Sequence, residues 1–155
     1  MGAGKNAFRL FKVLAILVSL TATVSGALII YDASKITPPS ISNFSNSASL
    51  GPPPQLNVSF TLTIGYRGSI VSLQNVNLTM AIYPDSDGTG VPLFSNTTMM
   101  TLNPNSPPVT IDYKFSKTNP PIFTHVSIRT TVKGSIVWGS LTFMGFGLDM
   151  VYTIF

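Results

Sequence analysis

"LNVSFTLTI", residues 56–64, decides the fold. Leu56, Val58, Phe60, Leu62 and Ile64 alternate without a break with Asn57, Ser59, Thr61 and Thr63. Successive side chains of an extended chain point to opposite faces. The run therefore reads as a strand with one apolar face and one hydroxyl- and amide-rich face. The same period of two returns in "VNLTMAIY" (76–83), "VTIDYKF" (109–115), "VSIRTTV" (126–132) and "LDMVYTIF" (148–155). Further strands are expected near 91–102 and 135–144, about seven in all. Gly- and Pro-containing stretches separate them, and no amphipathic helical period is present. This pattern predicts an all-β domain over residues 55–155, a β-sandwich of immunoglobulin or fibronectin type III kind.

Upstream the character changes. "FKVLAILVSLTATVSGALIIY" (11–31) carries no charge after Lys12. A bilayer core of roughly 30 Å needs about 20 apolar residues in a helix, and residues 13–31 supply that length. Ser25-Gly26-Ala27 resembles a signal-peptide cleavage site, but Leu28, Ile29, Ile30 and Tyr31 continue the apolar run past it. A retained transmembrane helix in contact with membrane lipid is the expectation. Tyr31 would be its interfacial anchor. Lys5, Arg9 and Lys12 precede the span, which places residues 1–12 in the cytoplasm and the remainder outside the cell. Residues 32–54, "DASKITPPSISNFSNSASLGPPP", hold prolines at both ends of a Ser/Asn-rich middle and show no apolar period. They read as an extended stalk.

Composition narrows the function. A chain of 155 residues accommodates one domain. Charged residues make up only 9%, against about 25% in ordinary soluble domains. Ser, Thr and Asn take their place. The net charge is +4, but beyond residue 31 six basic residues oppose five aspartates and form no stripe. Nucleic-acid binding needs clustered cations and is set aside. The chain has no Cys, so an exported head must fold on its core alone.

Residues 58–83 carry a resemblance. Val58–Ile64, the polar turn at Arg67-Gly68 and Val76–Tyr83 are similar to the opening of LEA-like (water-stress and hypersensitive-response) domains. The family's usual Asn-Pro after the first strand is replaced here by Tyr66-Arg67-Gly68. The resemblance implies a fibronectin-like sandwich, often membrane-anchored, with no known catalytic residues. A pilin-type subunit also joins an apolar helix to a β-head, but the processing signal before the apolar run is missing.

Catalytic groups are few. His125 is the only histidine, and neither Cys nor Glu occurs, which excludes zinc sites and paired-Glu catalysis. No G-x-S-x-G elbow accompanies His125. "PDSDGTG" (84–90) echoes the start of a calcium loop through Asp85, Asp87 and Gly88, but lacks the later bidentate Glu and flanking helices. It reads as a turn. Asn43, Asn57, Asn77 and Asn96 head Asn-x-Ser/Thr sequons and are candidate glycosylation sites. Trp138 is assigned to the core, with a sugar-binding platform as the rival. In "MVYTIF", Val151 and Phe155 make the outward phase apolar as well, which marks them as a candidate surface for a protein partner or a second copy.

The expectation is a non-enzymatic, single-pass cell-surface or envelope protein without cofactor, metal or evident small-molecule substrate. It would act through protein contacts, as an accessory subunit of a membrane assembly. The alternative is a subunit of an extracellular filament with the apolar helix in the filament core.

Overall fold

A computed structural model describes residues 3–121 and 125–154, except for the side chains of residues 3–10 and 144. One helix, α1 (Ala3–Ala33), precedes seven strands: β1 (Ile36–Ser49), β2 (Gln55–Tyr66), β3 (Ser72–Tyr83), β4 (Phe94–Leu102), β5 (Val109–Thr118), β6 (Ser127–Trp138) and β7 (Leu141–Thr153). They form a three-stranded sheet in the order β1-β2-β5 and a four-stranded sheet in the order β4-β3-β6-β7. Every pairing is antiparallel.

The alternating runs sort as their period requires. Leu56, Val58, Phe60, Leu62 and Ile64 of β2 are buried, and so are Leu78, Met80 and Ile82 of β3 and Ile128, Val132 and Ile136 of β6. Both sheets contribute to one core. Phe60 packs on Tyr113 of β5 with ring centroids 5.4 Å apart, and Phe94 of β4 packs on Phe115 at 4.7 Å, which ties β4 of one sheet to β5 of the other. The outward phase is a lattice of short polar side chains. Thr61 donates to Asp112 at 2.8 Å, and the Thr79 and Thr97 hydroxyls meet at 2.9 Å across β3 and β4.

Two irregularities fall on asparagines with positive φ. Asn75 (φ 51°) lies where the pairing of β3 with both its neighbours shifts, so Leu73 and Val76, three residues apart, both face the core. Asn43 (φ 51°) lies at a shift in the β1–β2 register. Asn adopts this left-handed geometry more readily than other residues with a side chain.

The strand map corrects the sequence reading in two places. Residues 36–49 are not a stalk. They form β1, the edge of the three-stranded sheet, paired with β2 from Ile36↔Tyr66 to Ser49↔Gln55. Pro38 and Pro39 are tolerated because an edge strand needs ladder bonds on one side only, and the Pro39 carbonyl accepts the Tyr152 hydroxyl of β7. Nor is 135–144 a strand. It straddles the β6–β7 hairpin, whose turn is Gly139-Ser140 with Gly139 at φ 60°.

Thr130 stands out in the inward row of β6. It is fully buried, and its hydroxyl has no hydrogen-bond partner among the described residues. Burial without a partner costs the group its hydration. Thr130→Val keeps the shape and removes the polar atom. It should raise unfolding free energy by about 1 kcal/mol, read as a higher denaturation midpoint; a lower midpoint would show that the hydroxyl is satisfied.

Candidate functional site

The site begins with a helix that has almost no protein around it. Phe11–Ala33 is long and apolar enough to cross a membrane, with mean hydropathy 2.4. Its Leu, Ile and Val side chains are exposed from Val13 to Leu28. Its two threonines turn back on the backbone: Thr21 donates to Leu17 and Val18 carbonyls at 3.0 and 2.9 Å, and Thr23 to the Ser19 carbonyl at 2.9 Å. Such back-bonding hides a hydroxyl where water is absent.

The head grips only the last turn and a half. Ile29 is 4% exposed and joins the core, and Asp32 is 1% exposed. A carboxylate at a helix C-terminus faces the negative end of the macrodipole, and burial adds a desolvation cost. Asp32 is held by the 66–71 segment, which wraps its two oxygens in donors. The Ile70 and Val71 N–H groups donate to Oδ2 at 2.8 and 3.0 Å, and the Ser69 N–H reaches both oxygens at 3.0 and 3.1 Å. The Tyr66 hydroxyl donates to Oδ2 at 3.1 Å, and the Lys35 ammonium pairs with Oδ1 at 3.2 Å. Charge-assisted bonds of this kind are about twice as strong as neutral ones. Burial, and then the neighbouring Asp32 carboxylate, raise the Tyr66 hydroxyl far above its usual range, so it remains a donor.

Local sequence makes this clasp possible. A Cβ on Gly68 would sit 1.9 Å from the Tyr66 hydroxyl oxygen, so the ring passes through space that only Gly leaves open. The Gly68 carbonyl accepts the Asn105 N–H at 3.1 Å, and the Lys35 carbonyl accepts the Arg67 N–H at 3.2 Å. Lys35 also lies over the Tyr31 ring, 4.8 Å from its centroid. The Ser69 hydroxyl also donates to Oδ1, at 3.4 Å. The chemistry of the clasp is that of a fastener.

The sequence-predicted residues are scattered. Asn43, Asn57 and Asn96 are exposed and Asn77 half-buried, on strands β1, β2, β4 and β3. Asp85 turns Oδ1 onto the N–H groups of Asp87, Gly88 and Thr89 at 3.0, 2.6 and 3.2 Å, closing a turn with Gly88 at φ 64°. That loop folds back over β6 and β7. Arg129, paired with Asp149, donates to the Gly88 carbonyl at 3.2 Å, and Thr153 donates to the Ser86 carbonyl at 3.2 Å. A Cβ on Gly88 would meet Val151 at 3.3 Å, so the chain's own loop lies against the candidate partner residue Val151, which stays half-exposed. Phe155 lies outside the described residues. His125 is exposed just before β6. Among the described residues no group of three or more acidic, His or Cys side chains could hold a metal.

Trp138 is a correction. It is not core: it is 44% exposed and stacks on Phe143, itself 43% exposed, across the β6–β7 hairpin at a centroid distance of 6.5 Å. β6 outlasts its buried stretch, so its last residue leaves the sandwich.

No family model matches the chain, and no curated protein matches it. Similar solved structures include two that match in part. One is a Northeast Structural Genomics Consortium target, 13% identical over 79% of this chain and 87% of its own, with a TM-score of 0.47. The other is a protein from Archaeoglobus fulgidus, 12% identical over 74% of this chain and 98% of its own, with a TM-score of 0.28.

The clasp sets a measurable scale. Asp32→Ala leaves the Ser69, Ile70 and Val71 N–H groups without their acceptor and should lower the unfolding free energy of the full chain in detergent by about 3–5 kcal/mol. Tyr66→Phe should cost about 1 kcal/mol and Gly68→Ala about 1–3 kcal/mol through the displaced ring. Denaturant titration of the β-sheet circular dichroism signal checks all three; an Asp32→Ala cost below that of Tyr66→Phe would contradict the assignment.

Proposed function

We propose that this chain is a membrane-anchored, non-enzymatic surface protein, with α1 retained as a single transmembrane helix and a β-head held outside the cell on a rigid joint. The observation that carries the reading is the contrast along α1. Its flanks are apolar and exposed for the length of a bilayer, while its last turn is built into the head through Ile29 and Asp32. A disposable leader has no need of such a joint. The basic residues Lys5, Arg9 and Lys12 support a cytoplasmic N-terminus. The head's outward lattice of Ser, Thr and Asn suits an exposed compartment, where Asn43, Asn57, Asn77 and Asn96 are the positions open to glycan attachment.

The head is read as fibronectin-III-like. In the constant immunoglobulin arrangement the fourth strand joins the sheet of the first, second and fifth. Here β4 pairs with β3 instead, giving three strands against four. The LEA-like resemblance of residues 58–83 belongs to the same reading, since β2 and β3 supply the central inward rows of the two sheets. The action is contact with a protein partner or further copies of the chain, as an accessory subunit of a membrane assembly.

Alkaline carbonate extraction combined with proteolysis of intact cells tests the proposal. The full chain should stay with the membrane pellet, and its head should be cut from outside while a tag at residue 1 survives. Release by carbonate, or a head protected until the membrane is opened, would overturn it. Recovery in sheared high-mass fibres would favour the filament alternative.

A further inference from the structure

The end of the head that meets α1 carries an apolar hairpin with three exposed large side chains, Trp138, Leu141 and Phe143. Residues 134–148 contain no charged side chain. Trp138 pairs with Leu141 across the hairpin, and Phe143, two residues on and therefore on the same face, stacks on Trp138. These three are 44%, 58% and 43% exposed. Ile70, whose N–H binds Asp32, and Tyr31 are exposed apolar residues at the same end. Exposed clusters of this kind mark an interaction surface.

What covers it follows from where the hairpin sits. Thr142 and Phe143 line one cleft with Gly26, Ile29 and Ile30 of α1, so the hairpin lies alongside the last turns of the helix and does not point away from them. Gly26 lies five residues before Tyr31, roughly 8 Å down the helix axis. If Tyr31 and the Lys35 above it mark the water boundary, the hairpin reaches the depth at which interfacial amphipathic elements insert, about 5–10 Å. Trp and Tyr favour that zone, because their rings are apolar and their N–H or O–H stays near water. Asp32 ties the end of α1 to the 69–71 segment of the head.

We propose that the β6–β7 hairpin, with Trp138, Leu141 and Phe143, inserts into the outer leaflet of the bilayer beside α1 and gives the head a second membrane contact. This rests on α1 being a transmembrane helix. The head would then lie with this end seated in the lipid. The opposite end, with the β1–β2 and β3–β4 loops, would face partners.

Trp138 is the only tryptophan in the chain and reports on its own surroundings. The full chain is reconstituted in phosphatidylcholine vesicles, with and without lipids brominated at shallow acyl positions, and with iodide on both sides of the membrane. The proposal expects blue-shifted Trp138 emission, a loss of about half the intensity to the brominated lipid, and little loss to iodide. Leu141→Ser with Phe143→Ser alters exposed residues and should cut the bromolipid quenching at least ~2-fold. Moving the reporter to the far end by Trp138→Phe with Val91→Trp should reverse the two sensitivities. Vesicle flotation separates the levels of failure. If the chain does not float with the vesicles, the transmembrane reading itself falls. If it floats but Trp138 is quenched by iodide and not by bromine, the hairpin stands in water and only this inference is wrong. Blue-shifted emission insensitive to both quenchers would place Trp138 against protein, as in contact between copies, and would equally overturn it.

Discussion

One buried carboxylate joins the two halves of this molecule. Asp32 sits at the end of an apolar helix, 1% exposed, and accepts hydrogen bonds from the backbone of Ser69, Ile70 and Val71, from Tyr66 and from Lys35. An isolated charge at that position would be strongly unfavourable, both for its desolvation and for its place at the helix C-terminus. The 66–71 segment exists in its observed form to offset that. Because the donors are mostly backbone groups of the turn into β3, the carboxylate fixes the helix to the four-stranded sheet and not to a mobile side chain. Lys35 and the start of β1, which pairs with Tyr66 through Ile36, tie the same point to the three-stranded sheet.

The rest of the architecture can be read from that joint. A helix with exposed apolar flanks needs lipid or other helices around it, and a rigid joint transmits its direction to the head. Residues 134–148 of the β6–β7 hairpin, at the joint end, carry no charge, while the strand faces beyond it carry hydroxyls and amides. The proposed function resides in geometry and surface, in how the sandwich would be presented at a membrane.

The sequence made the sandwich legible and the joint invisible. Where apolar residues alternate strictly, as in 56–64 and 76–83, the strand and its buried face follow directly, since a shift of one residue would invert every side chain. β1 was hidden because an edge strand tolerates proline, and its Ser- and Asn-rich sequence has few inward apolar residues beyond Ile36, Ile41 and Phe44. The Gly139-Ser140 turn does not show in the sequence because apolar residues flank it on both sides, and they do so because Trp138, Leu141 and Phe143 are exposed. Asp32 looked like a boundary residue between span and stalk. Its partners are mostly N–H groups, which every residue but proline carries and no sequence pattern announces. The one trace was Gly68 two residues after Tyr66, and it reads as an ordinary turn until the ring is seen crossing it. The apolar outward phase of the last strand marks Val151, but the Asp85–Gly90 loop reaches it through long-range contacts such as the Arg129 bond to Gly88.

The central claim is that Asp32 holds α1 and the head as one rigid body. The chain has no cysteine, so nitroxide labels can be placed uniquely at Val24→Cys on the helix and Gln74→Cys on β3. Pulsed electron–electron distance measurements on the full chain in vesicles should give a single narrow distribution. Adding Asp32→Ala, with the β-sheet dichroism still present, should broaden it severalfold. A broad distribution with Asp32 intact, or a narrow one that survives its removal from a folded head, would contradict the account.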